Sequence, residues 1–332
     1  MKDKLVSIIT PCYNTGAILH RLLDSVLMQD YPYVEMFCID DGSKDNTRYV
    51  VESYISKFGE KGYNLSYIYQ ENAGQSYAIN RALKLVTGKY LLWPDSDDYY
   101  NSSAFISKLV TKFEELPQDY GLVRSALQFV DEDTLETLST SGLDAPDYKN
   151  FELFEDCLFS RNGFYFPPIA YMVRIDYLKE VTGLEIFCAK NTGQNWQIML
   201  PILARYKSYT IKEILCNVLA RSNSHSRGQY GDIDGIIKRY HSYEDTLVSI
   251  INSINGLESR KKEFYISEIR NLLVTDLFNV ILVRKSSEHI RRLYKRLCDL
   301  GNAKITHHII YIITFIPYGL TVYLKLHKLL TN

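Results

Sequence analysis

Residues 5–130 alternate short runs of β-forming side chains with longer runs that have helical spacing. The β-type runs are Leu5–Thr10, Val34–Ile39, Leu65–Tyr69 and Tyr90–Trp93, and the helical runs between them are Ala17–Met28, Asp45–Phe58 and Ser76–Val86. Strands joined by helices pair in parallel, because each helix carries the chain back to the edge where the previous strand began. The alternation therefore predicts an α/β fold, with a mostly parallel, twisted sheet and helices on both of its faces.

The pattern loosens after Gly121 and becomes helical beyond residue 228. Further strands are predicted at Leu122–Val130, at Ile169–Val173 and within Tyr209–Leu219, with a helix at Gln194–Tyr206. We expect one domain over residues 1–227, made of the halves 1–130 and 131–227. A helical C-terminal region over 228–304 and an apolar, basic segment over 305–332 should follow it.

Charge is unevenly distributed along the 332 residues. The formal net charge is −1, which gives no electrostatic case for nucleic acid as a partner. From Arg260 to Asn332, however, 13 Lys and Arg face 5 Asp and Glu, a local charge of +8. Such a basic region favours an anionic membrane surface as a partner. The six cysteines have no C-x-x-C spacing and are typical of reduced thiols in the cytoplasm.

The most apolar stretch, Ile305–Leu330, is interrupted near its middle. Its uninterrupted core, Ile309–Ile316, is shorter than the roughly 20 residues of a spanning helix, and Pro317 and Gly319 follow it. We expect this stretch to lie in the plane of a membrane interface; a helix packed on the protein itself is the alternative. No signal peptide is expected, so the protein should be cytoplasmic and peripheral on the inner face of the cell membrane.

Three carboxylates follow the fourth predicted strand, in the sequence LLWPDSDDYY. Asp95, Asp97 and Asp98 bring like charges close together, which costs energy unless a cation lies between them. A turn followed by a helix cap would favour the same residues. The other three strands also end in polar loops, at 10–14, 40–43 and 71–76. Because ligands bind outside the carboxyl ends of parallel strands, four converging polar loops favour a binding site that includes Asp95 and Asp97.

Four motifs occur along the chain in the order SIITPCYNTG, CIDDGSKDNT, QENAGQSYAIN and WPDSDD. They resemble the nucleotide-diphosphosugar-binding half of bacterial family 2 inverting glycosyltransferases with the GT-A fold, over residues 5–130 and more weakly over 165–227. The resemblance implies transfer of a sugar from a UDP-sugar to a growing cell-surface glycan or a lipid-linked acceptor. It also implies Mn²⁺ or Mg²⁺, which suit oxygen ligands and offset charge on the departing diphosphate. A nucleotidyltransferase is an alternative, but it would have a Gly-rich basic loop in place of PCYN.

The resemblance assigns roles on the donor side of the site. Asp97 is expected to bind the metal and Asp95 the ribose or the metal, whereas Asp98 either assists them or opens a following helix. Asp41 is expected to accept a hydrogen bond from the base, with Asp40 as its substitute. The other residues expected to line the nucleotide are Thr10, Pro11, Tyr13, Asn72, Gly74 and Asn80.

Two further stretches are expected to complete the site. RSNSHSR, at residues 221–227, resembles a late loop that closes over the diphosphate. His225 and Arg227 are therefore expected to bind the diphosphate, or, for His225, to complete the metal shell. Trp196 is expected to lie beside the acceptor as a stacking platform for a sugar ring, with packing in the core as the alternative.

The sequence departs from the family where the catalytic base is expected. Members usually have an Asp, in a Glu-Asp pair, at the start of the acceptor-side helix, and this chain has Gln194-Asn195 there. Inverting transfer needs a group that takes the acceptor's proton, and an amide is no base near neutral pH. The hypotheses are a displaced carboxylate, with Glu185 ahead of Asp176; an acceptor that needs little assistance; or an impaired sugar-nucleotide-binding or scaffold subunit. We favour the displaced base.

Overall fold

The computed structural model describes residues 4–144, 153–188, 194–221 and 232–331. The chain divides into two compact units, one of residues 1–224 with 253–255 and one of residues 225–252 with 256–332. The predictions for His225 and Arg227 fall outside the described residues.

The first unit is built from strands and helices in alternation. Its strands are β1 Val6–Cys12, β2 Val34–Asp41, β3 Asn64–Gln70, β4 Tyr90–Leu92, β5 Tyr99–Tyr100, β6 Tyr120–Asp131, β7 Thr137–Ser141, β8 Tyr171–Arg174 and β9 Lys207–Ala220. Its helices are α1 Leu19–Leu27, α2 Thr47–Glu60, α3 Gln75–Leu83, α4 Phe105–Glu115, α5 Phe154–Leu158, α6 Ile175–Thr182 and α7 Asn195–Leu203. The chain continues as α8 Ile233–Ser253, α9 Ser259–Val283, α10 Ser287–Asp299, α11 Ile305–Ile313 and α12 Gly319–Thr331.

The strands form one sheet in the order β3-β2-β1-β4-β8-β6-β9-β5, and β7 pairs with β6 beside this path. Strands β3, β2, β1 and β4 are parallel, as the alternation predicts. The other half of the sheet is mixed: β8 is antiparallel to β4 and β6, β5 is antiparallel to β9, and β6 is parallel to β9. The sheet therefore has a parallel half, β3-β2-β1-β4, and a mixed half, β8-β6-β9-β5.

The central parallel strands are buried on both faces. Every residue of β1 and β2 is buried, as expected for the nearly continuous apolar runs VSIITPC and VEMFCIDD in a sheet covered by helices. The register aligns Cys12 with Asp40 and Asp41 with Gln70. The carboxyl ends of β1, β2 and β3 therefore reach the same edge of the sheet.

The second unit has its own apolar core. Ile310 of α11 and Leu320 of α12 belong to this cluster. Its other buried members include Ile236, Phe278, Ile281 and Leu297. One face of each C-terminal helix thus packs on the protein, as in the alternative interpretation of this stretch. Among the described helices, none is both long and apolar enough to cross a membrane.

Candidate active site

The loops that follow β1 and β2 are joined by hydrogen bonds. The Asn14 N–H donates to Ser43 Oγ at 2.9 Å, and the Lys44 N–H donates to Asn14 Oδ1 at 2.8 Å. Asn14 has a φ of 51°, a left-handed conformation that Asn tolerates better than most residues. The first two predicted loops therefore form one joined surface at the end of the sheet.

The residues that end β1 differ in exposure. Thr10 and Pro11 are buried, and within the described residues the Thr10 hydroxyl has no hydrogen-bond partner. Tyr13 is 52% exposed. Of these three residues, Tyr13 is the one whose ring is open to a flat ligand.

The Asp41 carboxylate accepts four hydrogen bonds, one from the end of β3 and three from the third loop. Its Oδ1 accepts from Gln70 Nε2 at 2.7 Å and from the Ala73 N–H at 2.9 Å. Its Oδ2 accepts from the Gly74 N–H at 2.9 Å and from Asn72 Nδ2 at 3.2 Å. A carboxylate has about four acceptor positions, so Asp41 uses all of them to hold the start of α3.

Two glycines make this arrangement possible. Gly42 has a φ of +85°, and a Cβ there would lie 2.9 Å from the Asn72 backbone nitrogen. Gly74 precedes α3 with a φ of 111°. Both conformations are readily accessible only to glycine, so the second and third loops can approach one another closely.

Asp40 is the less heavily bonded of the two strand-end aspartates. It is 2% exposed, and it accepts hydrogen bonds from the Ser43 N–H at 2.8 Å and the Tyr67 hydroxyl at 2.6 Å. Burial and this hydrogen bond to Asp40 raise the pKa of Tyr67, so its hydroxyl stays protonated. Asp40 therefore retains more acceptor capacity than Asp41.

Asp95 lies between two glutamine amides. Its Oδ1 accepts from Gln75 Nε2 at 2.6 Å and from Gln194 Nε2 at 3.1 Å. Burial raises the pKa of Asp95 to about 7, and the charge of Asp97 adds to the rise, whereas the two amide donors oppose it. Through these two hydrogen bonds Asp95 connects the start of α3 with the start of α7.

Asp97 is paired with an arginine from the end of β9. Arg221 Nη1 lies 3.2 Å from Asp97 Oδ2, and its Nε lies 3.4 Å from Glu132 Oε2. The Asp97 side chain is 25% exposed and the Arg221 side chain 27%. Both charged groups therefore remain partly open to solvent.

Asp98 does not open a helix, which corrects that part of the sequence prediction. It is followed by β5, and its Oδ1 accepts the Leu219 N–H of β9 at 3.1 Å. Burial, and then the charges of Asp97 and Asp95, raise the pKa of Asp98 well above its usual range. Its side chain fixes the carboxylate turn to the sheet, because a buried carboxylate needs a donor.

The carboxylate oxygens of Asp95 and Asp97 fit a metal ion whose remaining ligands come from a bound substrate. Among the described residues, no three His, Cys, Asp or Glu side chains are grouped so as to hold an ion by themselves. Mg²⁺ and ions like it commonly take one or two carboxylates, with water and substrate phosphates as their remaining ligands. Two carboxylates beside a solvent-facing edge match that pattern.

The side-chain amides of Gln194 and Asn195 lie at the start of α7. Gln194 is 1% exposed and donates to Asp95, while its own Oε1 is buried with no partner among the described residues. The same holds for Asn195 Oδ1. Buried acceptors without donors are costly, so these two oxygens mark a place where the described contacts leave hydrogen bonds unmade.

Asn80 of α3 is hydrogen-bonded to Ile186, the residue that follows Glu185. Asn80 Nδ2 donates to the Ile186 carbonyl at 2.8 Å, and the Ile186 N–H donates to Asn80 Oδ1, also at 2.8 Å. Glu185, the neighbouring residue, is exposed. The structure therefore places Glu185 on a segment held against α3, the helix whose first residue, Gln75, binds Asp95.

Trp196 is anchored on its own half of the unit. Its Nε1 donates to the Cys157 carbonyl of α5 at 3.2 Å, and its ring meets Phe166 edge to face, with centroids 5.6 Å apart. The indole remains partly exposed. These contacts fix the ring while one part of it still reaches solvent.

The fold and this edge can be compared with known proteins. Residues 7–181 match the family model for glycosyl transferase family 2. Because this match covers more than half of the chain, the chain belongs to glycosyl transferase family 2, and its fold is the GT-A fold.

Solved structures support the fold. Staphylococcus aureus TarS 1-349 in complex with UDP-GlcNAc superposes with a TM-score of 0.66, covering 95% of this chain and 87% of that one at 18% identity. The mannosyltransferase PcManGT from Pyrobaculum calidifontis, in complex with GDP-Man and Mn²⁺, gives 0.52 at 15% identity over 97% of this chain and 88% of that one. At such identities the likeness concerns the fold alone.

Curated relatives match part of the chain in sequence. The putative teichuronic acid biosynthesis glycosyltransferase TuaG of Bacillus subtilis is 37% identical over 105 residues, which is 32% of this chain and 40% of TuaG. Relatives from Rickettsia prowazekii and Streptococcus pneumoniae are matched over 28% and 16% of their own lengths. The similarity to these relatives thus covers less than half of each of them.

Proposed function

We propose that this chain transfers a sugar, with inversion, from a UDP-sugar to a growing cell-surface glycan or a lipid-linked acceptor. The observation that carries the proposal is the position of Asp95 and Asp97 beside the Asp41-bonded loop, at the carboxyl edge of a family 2 sheet. The UDP-GlcNAc bound by TarS and the glycan named for TuaG support this donor class and acceptor class.

We propose that the charged groups of Asp95, Asp97 and Arg221 bind the metal ion and the diphosphate of the sugar nucleotide. Asp97 and Asp95 would hold Mn²⁺ or Mg²⁺, and Mn²⁺ accompanies GDP-Man in PcManGT. Such an ion, when bound, offsets negative charge on the departing diphosphate. Arg221, already at Asp97, offers its guanidinium to the same oxygens.

The nucleobase of the donor, uracil, would be bound at the end of β2. A uracil imide N–H reaches Asp41 if it replaces the side-chain amide of Gln70, since the N–H groups of Ala73 and Gly74 are fixed by the loop. Asp40, with fewer hydrogen bonds, is the proposed substitute.

Glu185 is our proposed catalytic base. It is exposed, and Asn80 holds its segment against α3.

A binding subunit without transferase activity is the second candidate. The hydrogen bond from Gln194 to Asp95 favours it, because an amide then occupies the position where a base is expected.

A thermal-shift screen of nucleotide sugars, with and without Mn²⁺, tests the donor. The correct UDP-sugar should raise the melting temperature, and more so with Mn²⁺, because a ligand that binds the folded state stabilises it. No shift with any nucleotide sugar would refute the proposal. Release of UDP with an acceptor separates transferase from binding subunit: binding without release, across acceptors, would establish the second candidate.

We also propose a cytoplasmic location, peripheral on the inner face of the cell membrane. The charge of +8 over residues 260–332 supports this location, since anionic lipids attract clustered Lys and Arg.

A further inference from the structure

Helices α11 and α12 each present an apolar face to solvent. These two faces and Ile316 of the turn between the helices are here called the apolar ridge, which consists of Ile309, Ile312, Ile316, Val322, Leu326 and Leu329. Each side chain is between 46% and 77% exposed. The spacing of three or four residues places Ile309 and Ile312 on one side of α11, and Val322, Leu326 and Leu329 on one side of α12.

The ridge lies opposite the faces that already pack. On α11 the buried residues are His307 and Ile310, and on α12 Leu320 is 4% exposed within the core cluster. A helix of a soluble unit needs only one apolar face, so the core of the second unit does not account for the other. Neighbouring exposed apolar side chains on one side of a helix are typical of an interaction site.

The formal charges of the segment that carries the ridge have one sign. Residues 300–332 contain no Asp or Glu. Lys304 is exposed just before α11, and Lys325 and Lys328 are exposed along one flank of the α12 part of the ridge. Long lysine side chains can lie along apolar surface and extend their ammonium groups to a polar boundary.

An arginine extends the basic border at the turn between the two helices. Arg291 of α10 donates from Nη1 to the Thr314 carbonyl at 3.4 Å, and its guanidinium lies 4.9 Å from the centre of the Phe315 ring. Phe315 is itself 60% exposed. An exposed aromatic ring beside a cation is suited to the headgroup level of a bilayer.

We propose that the apolar ridge docks on an anionic lipid bilayer, with α11 and α12 lying in the plane of the interface. Isoleucine and leucine side chains would enter the boundary between headgroups and acyl chains, and the lysines would meet lipid phosphates. Self-association is disfavoured, because two-fold pairing of this face would bring lysines of like charge together. The inference rests on the peripheral location proposed above and specifies its surface; it does not depend on transfer chemistry, whose residues belong to the first unit.

Co-sedimentation of the full chain with phosphatidylcholine vesicles, with and without phosphatidylglycerol, tests the proposal. The wild type should bind the anionic vesicles, and less as salt is added. A Lys325→Gln/Lys328→Gln variant should bind roughly 30-fold more weakly at low salt. An Ile312→Gln/Leu326→Gln variant should lose at least about tenfold at any salt. Phe264→Gln, which changes a 56% exposed side chain of α9, is the matched control and should bind normally.

Absence of vesicle binding by the wild type, or equal binding by all variants, would overturn the proposal. So would a dimer in sedimentation velocity that the ridge substitutions abolish without any vesicle binding. All variants should keep the same thermal shift with nucleotide sugars. If no nucleotide sugar binds while the ridge variants still lose vesicle binding, the donor assignment fails and the membrane surface stands.

Discussion

Replacing Asp41 by Asn tests whether this carboxylate stabilises the loop of residues 71–76 that follows β3. The variant Asp41→Asn keeps the shape of the side chain but converts one acceptor oxygen into an NH₂ donor. In either orientation the NH₂ group faces a backbone N–H, that of Gly74 at one oxygen position or that of Ala73 at the other. One buried N–H therefore loses its acceptor whichever way the amide turns.

The cost follows from that lost acceptor. A hydrogen bond to a charged group contributes about 1.5–3 kcal/mol, and a buried donor left unpaired costs about 1–3 kcal/mol. We expect the free energy of opening the loop to fall by about 2–4 kcal/mol. Asp40→Asn is the matched control: its oxygen can still accept from Ser43, and its NH₂ can donate to the Tyr67 hydroxyl, which also accepts. Its cost should stay within about 1 kcal/mol.

Hydrogen exchange over residues 70–76 is the appropriate assay, since a chain of two units need not unfold in one transition. The backbone N–H groups of Ala73 and Gly74 should exchange roughly 30-fold faster or more in Asp41→Asn and near the wild-type rate in Asp40→Asn. Equal protection in both variants, or a larger loss in Asp40→Asn, would refute the assignment of the four hydrogen bonds.

Four other substitutions test separate parts of the site. Asp97→Ala should abolish Mn²⁺-dependent UDP binding, and unchanged affinity by calorimetry would exclude it as a metal ligand. Gly42→Ala should destabilise the first unit by about 1–3 kcal/mol, because its φ is +85° and the new Cβ meets Asn72; a normal denaturation midpoint would contradict this. Glu185→Gln should lower kcat at least about 100-fold with little change in donor affinity if Glu185 is the base, whereas an unaltered kcat would eliminate it. Asn195→Asp should leave activity similar or raise it; complete loss would show that the amide itself is needed.

The donor half could be predicted from the sequence because its determinants are local. Buried runs such as VSIITPC and VEMFCIDD identify the strands, and helical spacing between them implies parallel pairing. Parallel pairing in turn brings the strand-end motifs to one edge, so the proximity of the loops at Asn14 and Ser43 follows from the pattern alone.

The acceptor half depends on contacts that local patterns do not encode. The pairing of β6 with β9 aligns Leu122 with Ser208, and nothing near either residue specifies the other. Asp98 illustrates the same limit: its neighbours suggest a helix cap, but its partner is Leu219. Gln75 and Arg221 were present in the motifs, yet their contacts with Asp95 and Asp97 depend on three-dimensional packing.

The paired hydrogen bonds between Asn80 and Ile186 have a consequence for the order of folding. They close a loop of 106 residues, and closing it costs about 1.5 kcal/mol more in chain entropy than closing the connections of about 20 residues between the parallel strands. The four parallel strands have far shorter connections, so the loops that follow β1, β2 and β3 can come together before the contact between Asn80 and Ile186 forms. We therefore expect the segment of Glu185 to be positioned after the parallel strands have paired, and to be among the first parts to separate when the mixed half is destabilised.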